Sequence, residues 1–196
     1  MTPIELQRYY TTLVRNYNSR VCLSVANSDR AHNATIIRFM LDTSQNINMF
    51  CGEMSVFRKN FYTHIGRNHI GLGQKVKDDL VKSLQSFVER GTGKLNIVLE
   101  KFSYSMFKDL ISQNVFRTGV QSGVISFRVL NRRAILAAGL SHCTFTDKGI
   151  VRMEVDQDSH SAICSVNINR PTLDVLMSNF NIIQRASTPI NASAYL

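Results

Sequence analysis

The chain has 196 residues and 44% apolar residues, with 23 Lys and Arg against 14 Asp and Glu, which gives a formal net charge of +9. These values predict one globular domain with its own core and exclude a disordered chain. No apolar run approaches the roughly 20 residues of a membrane-spanning helix. The first twenty residues carry Arg8, Arg15 and Arg20 and lack the apolar stretch of a signal peptide. We therefore expect a cytoplasmic protein with no membrane partner, whose positive charge attracts a polyanion.

The first half of the sequence alternates predicted helices with predicted strands. Apolar residues three or four apart predict helices, and short apolar runs predict strands. The helices are Pro3–Tyr17, Arg30–Thr43 and Lys75–Arg90, and the strands are Ile47–Cys51 and Lys94–Glu100. The segment Val21–Ala26 fits either a short strand or a continuation of the first helix.

The second half continues the alternation and ends in a hairpin, a strand and a helix. Its predicted elements are a helix at Ser105–Gln113, strands at Val124–Leu130 and Ser161–Asn167, and a last helix from Pro171 to about Arg185. Residues from about Ser187 are expected to form a loose tail. This order predicts an α/β fold with a mixed sheet flanked by helices. We divide it into a helical segment at residues 1–29, an α/β domain at 30–187 and a tail at 188–196.

The segment Ser141–Glu154 predicts a β-hairpin with a defined register. The loop Asp147–Gly149, with Gly149 at positive φ, pairs Cys143 with Met153 and Phe145 with Val151 on one face. The other face then carries two polar pairs. They are Thr144 with Arg152, and His142 with Glu154.

The pair of His142 and Glu154 is the sharpest candidate for chemistry. A carboxylate across a ladder orients an imidazole and raises its pKa, as in a catalytic base and its orienting partner. Thr144, Arg152 and Asn167 would then bind an anion. The competing interpretation is an ordinary solvated sheet face, on which such cross-strand pairs also occur.

Positive charge concentrates in two stretches that predict contact with nucleic-acid phosphates. Five cations and no acid lie between Met54 and Lys77, and a glycine-containing loop at 64–75 precedes a predicted helix. Aromatic residues Phe57, Phe61 and Tyr62 are interleaved with these cations, as in single-strand binders, although core aromatics produce the same pattern. The predicted nucleic-acid-binding residues are Arg58, Lys59, Arg67, Lys75, Lys77, Arg132 and Arg133. We predict no metal site and no cofactor, because the four cysteines lack zinc-ligand spacing.

The layout of residues 30 to 187 resembles half of a phospholipase D-like domain. Three stretches carry the resemblance: Ala34–Gly52, Lys94–Glu100, and the run from His142 through Asp147 and Arg152–Glu154 to Ser165–Asn167 with its following helix. The signature of that family is H-x-K-x-x-x-x-D, followed by a Ser and an Asn on the next strand. The resemblance implies that one His attacks phosphorus, a second His from another half or subunit protonates the leaving group, and Lys and Asn hold phosphate oxygens.

The sequence departs from this signature in either alignment. If His142 matches the nucleophile, Thr144 stands at the Lys position and Gly149 at the Asp position. If Asp147 matches the Asp, His142 falls on the Lys position and Leu140 on the nucleophile. Only the downstream pair of Ser165 and Asn167 matches. Because at least one required group is missing, we expect a degenerate site.

Three functions follow from these observations. The first is a degenerate phospholipase D-like protein that binds nucleic acid as a homo-oligomer, in a mobile-element or antiviral defence setting that the resemblance makes plausible. The second is a phosphodiesterase or nuclease that uses His142, Glu154 and Asn167 across a dimer. The third is a non-catalytic assembly or toxin-type module that binds an acidic protein partner.

Overall fold

A computed structural model of the chain describes residues 2–27, 29–52, 54–63, 65, 69, 71–131, 141–156 and 161–195. Its helices are α1 (Pro3–Asn18), α2 (Arg30–Thr43), α3 (Lys59–Tyr62), α4 (Leu72–Arg90), α5 (Tyr104–Ser112), α6 (Asn114–Gln121) and α7 (Arg170–Arg185). Its strands are β1 (Leu23–Asn27), β2 (Asn46–Cys51), β3 (Lys94–Leu99), β4 (Ile125–Leu130), β5 (Cys143–Thr146), β6 (Val151–Asp156), β7 (Ser161–Val166) and β8 (Ser187–Pro189). Short 3-10 helices occur at Ser55–Phe57 and Ala192–Tyr195.

Capping residues define several helix ends. Thr2 and Glu5 form a reciprocal capping box at the start of α1. The side chains of Asp29 and Asn169 accept backbone N–H groups at the starts of α2 and α7. Gly91 ends α4 with a φ of 67°, which a residue with a side chain adopts only with strain. Local capping interactions therefore explain where α1, α2 and α7 begin and where α4 ends.

The strands form one mixed sheet in the order β1-β7-β6-β5-β2-β3-β4-β8. The central strands β2, β3 and β4 are parallel, and the flanking pairs are antiparallel. We call the side of the sheet where β2, β3 and β4 finish its carboxyl end, and the opposite side its amino end. Because β5 is antiparallel to β2, His142 lies at the carboxyl end, where Phe50 pairs with Cys143.

Helices cover both faces of the sheet, and this arrangement confirms the predicted α/β class. On one face, α7 buries Phe180 and Leu176 against Phe145, Phe50 and Val98 of the central strands. The larger cluster on the other face receives side chains from helices α1 to α6. Within the described part of the chain, no helix combines the length and the apolar character that crossing a membrane requires.

The predicted hairpin register is confirmed. Cys143 pairs with Met153, Thr144 with Arg152 and Phe145 with Val151. Gly149 has a φ of 70°. The polar face is nevertheless not solvated, because Thr144 and His142 are buried. The interpretation of this face as an ordinary solvated surface is therefore wrong.

Three other segments are resolved or corrected by the structure. The segment Val21–Ala26, left open above, contributes strand β1, which pairs with β7. Helix α6 follows α5 almost directly, and its eight residues were not predicted because the pattern is too short to stand out. The tail expected to be loose from Ser187 is instead strand β8, which pairs with β4. The domain boundaries at residues 29 and 187 stay a prediction.

Candidate functional site

A cavity of about 230 Å³ opens at the carboxyl end of the sheet. Asn33 of α2 lines one side, and His142, Thr144, Arg152 and Glu154 of the hairpin line the floor. Further lining residues follow the ends of β2 and β3, among them Gly52, Ser55, Glu100 and Lys101. The loops that follow parallel strands converge here, which is where α/β sheets commonly bind ligands.

His142 lies between two carboxylates inside this cavity. Its Nδ1 is 2.8 Å from Glu154 Oε2, and its Nε2 is 2.9 Å from Glu100 Oε2. Ionised carboxylates only accept hydrogen bonds, so both contacts are satisfied when the ring carries both protons and donates from each nitrogen. The ring is 7% exposed and meets Phe50 edge-on. The structure thus confirms the predicted contact with Glu154 and adds Glu100, which the sequence did not single out.

The electrostatics of the cluster favour this doubly protonated ring. Burial lowers the pKa of His142, but the hydrogen bonds and charges of Glu154 and Glu100 outweigh it, and the pKa is raised overall. Burial likewise raises the pKa of Glu154, but His142 and Arg152 outweigh burial and lower it. Arg152 also donates to Glu154 Oε1 at 3.2 Å and to Asn33 Oδ1 at 3.2 Å. The cluster therefore holds charges in compensating pairs.

The doubly protonated ring that this arrangement favours has no free nitrogen lone pair. A His that attacks phosphorus needs one unprotonated nitrogen directed at the substrate, whereas both nitrogens here face carboxylates. Cys51, which also lines the cavity, does not replace it, because desolvation raises the pKa of its thiol to about 12. The described groups are thus suited to a structural ion-pair network more than to nucleophilic attack.

Asn167 does not join His142 and Glu154. Glu154 pairs with Ala162 of β7, and Asn167 follows that residue by five positions, about 16 Å along the strand direction. Its amide group instead donates to the backbone carbonyls of Asn16, Tyr17 and Val21 at 2.8, 3.3 and 3.1 Å. Asn167 therefore lies at the amino end, where it holds the turn between α1 and β1.

The neighbouring Ser165 lies outside the cavity as well. Its hydroxyl is 2.7 Å from that of Ser24 on β1. The strand that follows β5 is β6, so a family Ser and Asn on the next strand would fall on β6 and not on β7. Matching by residue type alone selected a pair one strand too far along the chain.

Among the predicted nucleic-acid-binding residues, the structure describes the side chains of Arg58, which precedes α3, and of Lys75 and Lys77, which lie on α4. Arg58 is half-buried near the carboxyl end, in a small cleft that Lys101 and Phe107 share. Lys75 on α4 is paired with Asp79 at 2.8 Å, and the same carboxylate is paired with Arg38 at 2.8 Å. Lys77 is half-buried on the same helix. The predicted residues Arg67, Arg132 and Arg133 lie outside the described residues, as does the side chain of Lys59.

The aromatic residues interleaved with the first cations belong to the core. Phe57, Phe61 and Tyr62 are all buried, so their spacing reflects packing. Exposed aromatics occur elsewhere at the carboxyl end, at Phe102 and Tyr104 beside Lys101. The signal that could have found them is the short sequence Lys101–Lys108, in which two cations flank three aromatic rings.

By sequence, the chain matches no protein-family model and no curated protein. Its structure, in contrast, is similar to solved structures that include a phospholipase D family member. The chain therefore has a phospholipase D-like α/β fold, as the resemblance implied.

Three solved structures illustrate the similarity in fold. Nuc, a phospholipase D family member from Salmonella typhimurium, is 13% identical with a TM-score of 0.53, and the match covers 86% of this chain and 98% of that one. TrmBL2, an archaeal chromatin protein with a novel mode of DNA binding, is 14% identical with a TM-score of 0.53, covering 86% of this chain and 54% of that one. Phosphatidylserine synthase from Haemophilus influenzae Rd KW20 is 9% identical with a TM-score of 0.51, covering 87% and 39%. The chain thus spans about half of the length of TrmBL2 and less than half of that of the synthase, but nearly all of that of Nuc.

Proposed function

We propose that this protein is a degenerate phospholipase D-like domain that binds nucleic acid through the carboxyl end of its sheet and acts as a homo-oligomer. The observation that carries the proposal is the state of His142. With both ring nitrogens directed at carboxylates, His142, which one of the two alignments places at the nucleophile position, is part of an ion-pair network. A mobile-element or antiviral setting stays part of the prediction that the resemblance supplied.

Cations beside this network support the binding part of the proposal. Lys101 is exposed two residues after the end of β3, and Arg58 follows β2 in the same cleft. The whole chain carries a formal net charge of +9, which favours association with a polyanion. TrmBL2, a protein of similar fold, is described as binding DNA. Arg132 and Arg133 stay predicted contributors, because they follow β4 in the sequence.

An exposed apolar row supports the self-association part of the proposal. Ala26, Ile163 and Met153 are direct neighbours across β1, β7 and β6. All three are exposed, and Ile163 retains 45% of its surface. A second copy of the chain packing on this row would remove apolar surface from water. Ile163→Glu is expected to lower the mass of the assembly measured by light scattering. Val175→Glu, at an exposed position of α7, should leave that mass unchanged.

The binding experiment separates this function from the alternatives. Labelled single-stranded and double-stranded oligonucleotides are titrated with the protein at about 50 and 200 mM salt. We expect binding that weakens as salt increases. Absence of binding at the lower salt, or binding that ignores salt, contradicts the proposal and favours the acidic-protein partner.

A cleavage experiment tests the enzymatic alternative. DNA, RNA and a chromogenic phosphodiester are incubated with wild-type protein and with His142→Ala. We expect no turnover by either protein, because the ring nitrogens are engaged. Turnover by the wild type that His142→Ala abolishes would establish the phosphodiesterase and contradict the degenerate site.

A further inference from the structure

Two exposed aromatic side chains lie beside the cations of the carboxyl end. Phe102, in the loop between β3 and α5, is 38% exposed, and Tyr104, the first residue of α5, is 60% exposed. A single exposed apolar side chain is ordinary, whereas two exposed rings two residues apart form a local apolar patch, which is more informative.

Buried rings hold these two in place. Phe102 lies 5.4 Å from Phe107 between ring centroids, and Phe107 lies 5.0 Å from buried Phe127 of β4. Tyr195 completes the group, at 5.5 Å from Tyr104 and 5.2 Å from Phe107. The exposed rings are therefore the outer members of a packed aromatic cluster, so little side-chain entropy is lost when a ligand contacts them.

Two lysines lie close in sequence to the exposed rings of the cluster. Lys101 immediately precedes Phe102, and Lys108 lies one helical turn beyond Tyr104 on the same face of α5. Both lysines are exposed. Asp109 is the one acidic residue of the sequence between Lys101 and Leu140. The surface thus offers flat apolar rings together with cations spaced around them.

We propose that Phe102 and Tyr104 form a base-stacking platform for single-stranded nucleic acid, with Lys101 and Lys108 contacting the flanking phosphates. This inference rests on the proposed function and specifies its ligand. Stacking on aromatic side chains needs an unpaired base with a free face, while the bases of a duplex are already stacked on one another. A duplex would gain only the phosphate contacts, so the platform selects single strands.

Tyrosine-to-tryptophan replacement provides a direct reporter, because the chain contains no tryptophan. In Tyr104→Trp, the indole becomes the only tryptophan of the protein. A base stacked on it quenches its fluorescence, whereas an abasic oligonucleotide with the same number of phosphates does not. We expect strong quenching by single-stranded DNA or RNA and weak quenching by the abasic strand.

Affinity measurements on matched variants complete the test. Tyr104→Leu keeps apolar bulk and removes the π-face, and Tyr104→Phe keeps both. We expect Tyr104→Leu to bind single strands about tenfold more weakly, with Tyr104→Phe within about twofold of wild type. The salt dependence should be the same in all three proteins, because no phosphate contact changes.

The outcomes separate this inference from the proposed function. Salt-dependent binding of wild type, combined with equal affinities of Tyr104→Leu and Tyr104→Phe and with no base-specific quenching, overturns the platform and leaves nucleic-acid binding standing. Failure of the wild type to bind any oligonucleotide overturns both. Circular dichroism of each variant confirms that the exposed position tolerates the change.

Discussion

At the scale of single residues, the surroundings of His142 determine whether its ring nitrogens can donate or accept a proton. The imidazole could be placed opposite Glu154 from the hairpin register alone. Its second partner, Glu100, comes from the end of β3, and only tertiary structure brings that carboxylate to 2.9 Å. A base with one orienting carboxylate and a ring held by two carboxylates are different chemical groups, and the second carboxylate argues against nucleophilic attack by His142.

The stability of the protein should depend on pH through this cluster. The pKa of His142 is raised above 6.5, so its ion pairs stabilise the folded state fully below that pH and are lost as pH rises through the folded-state pKa. The pKa of Glu154 is lowered below 4.5, so its contribution is complete above that pH and is lost under more acidic conditions. We expect the largest contribution of the cluster between these two pH values.

Urea unfolding of wild type and His142→Gln measures this dependence. At about pH 5.5 the variant should unfold with a free energy about 3 kcal/mol lower, because two carboxylates lose their cation. The difference should shrink as the pH increases above the folded-state pKa. A difference that stays constant from acidic to alkaline pH would show that His142 contributes by packing alone.

Asn167 illustrates a residue with a catalytic appearance in the sequence and a structural role in the fold. Its backbone has a φ of 56°, which asparagine tolerates better than most residues, and its side chain donates the hydrogen bonds that stabilise the turn after α1. Asn167→Ala should lower the free energy of unfolding by about 2 to 3 kcal/mol, since it loses the bonds and strains the backbone. Asn167→Gly should cost about 1 kcal/mol less, because glycine adopts this φ freely.

The two Asn167 variants also have a functional readout. Their affinity for a single-stranded oligonucleotide, measured where both are folded, should equal that of the wild type. A selective loss of nucleic-acid affinity in Asn167→Ala without a loss of stability would return this residue to the binding site.

At the scale of elements, apolar periodicity and turn residues predicted most of the helices and strands. The bounds of α2 and the pairing of β5 with β6 follow from the sequence, because apolar spacing and Gly149 each point to one solution. What the sequence left undetermined depends on distant partners. Strand β1 exists because β7 pairs with it, and β8 exists because β4 presents an unpaired edge.

The covering of β4 by β8 leads to a prediction about the chain terminus. Arg128 Nε donates to the buried Ser187 hydroxyl at 2.8 Å, and that hydroxyl donates to the Gln184 carbonyl at 2.7 Å. Ser187→Ala should lower the free energy of unfolding by about 1 to 2 kcal/mol. Thr188→Ala, at the exposed next position, should change it by less than about 0.5 kcal/mol. Equal effects in urea titrations would show that the buried Ser187 hydroxyl contributes no more to stability than the exposed Thr188 hydroxyl.

At the scale of the whole molecule, the fold determines where the cations that give the formal net charge of +9 lie. Cations concentrate in two stretches of the sequence, but Lys75 is paired with Asp79 in the fold. Lys101 and Arg58 share one cleft at the carboxyl end, and Lys108 is exposed on α5. Long-range proximity of this kind follows from parallel strands ending side by side. Composition alone gives the sign of the partner's charge and not the position where that partner binds.

The salt dependence of single-strand binding tests the central claim most directly. The logarithm of the association constant is measured against the logarithm of salt concentration for wild type, Lys101→Ala and Lys148→Ala. Lys148 is an exposed lysine in the hairpin turn at the amino end, and so it is the matched control. We predict that Lys101→Ala makes the slope shallower by about 0.7, the loss of one phosphate contact to a single strand, and that Lys148→Ala leaves it unchanged. Equal slopes for all three proteins, or no binding at about 50 mM salt, would contradict nucleic-acid binding at the carboxyl end of the sheet.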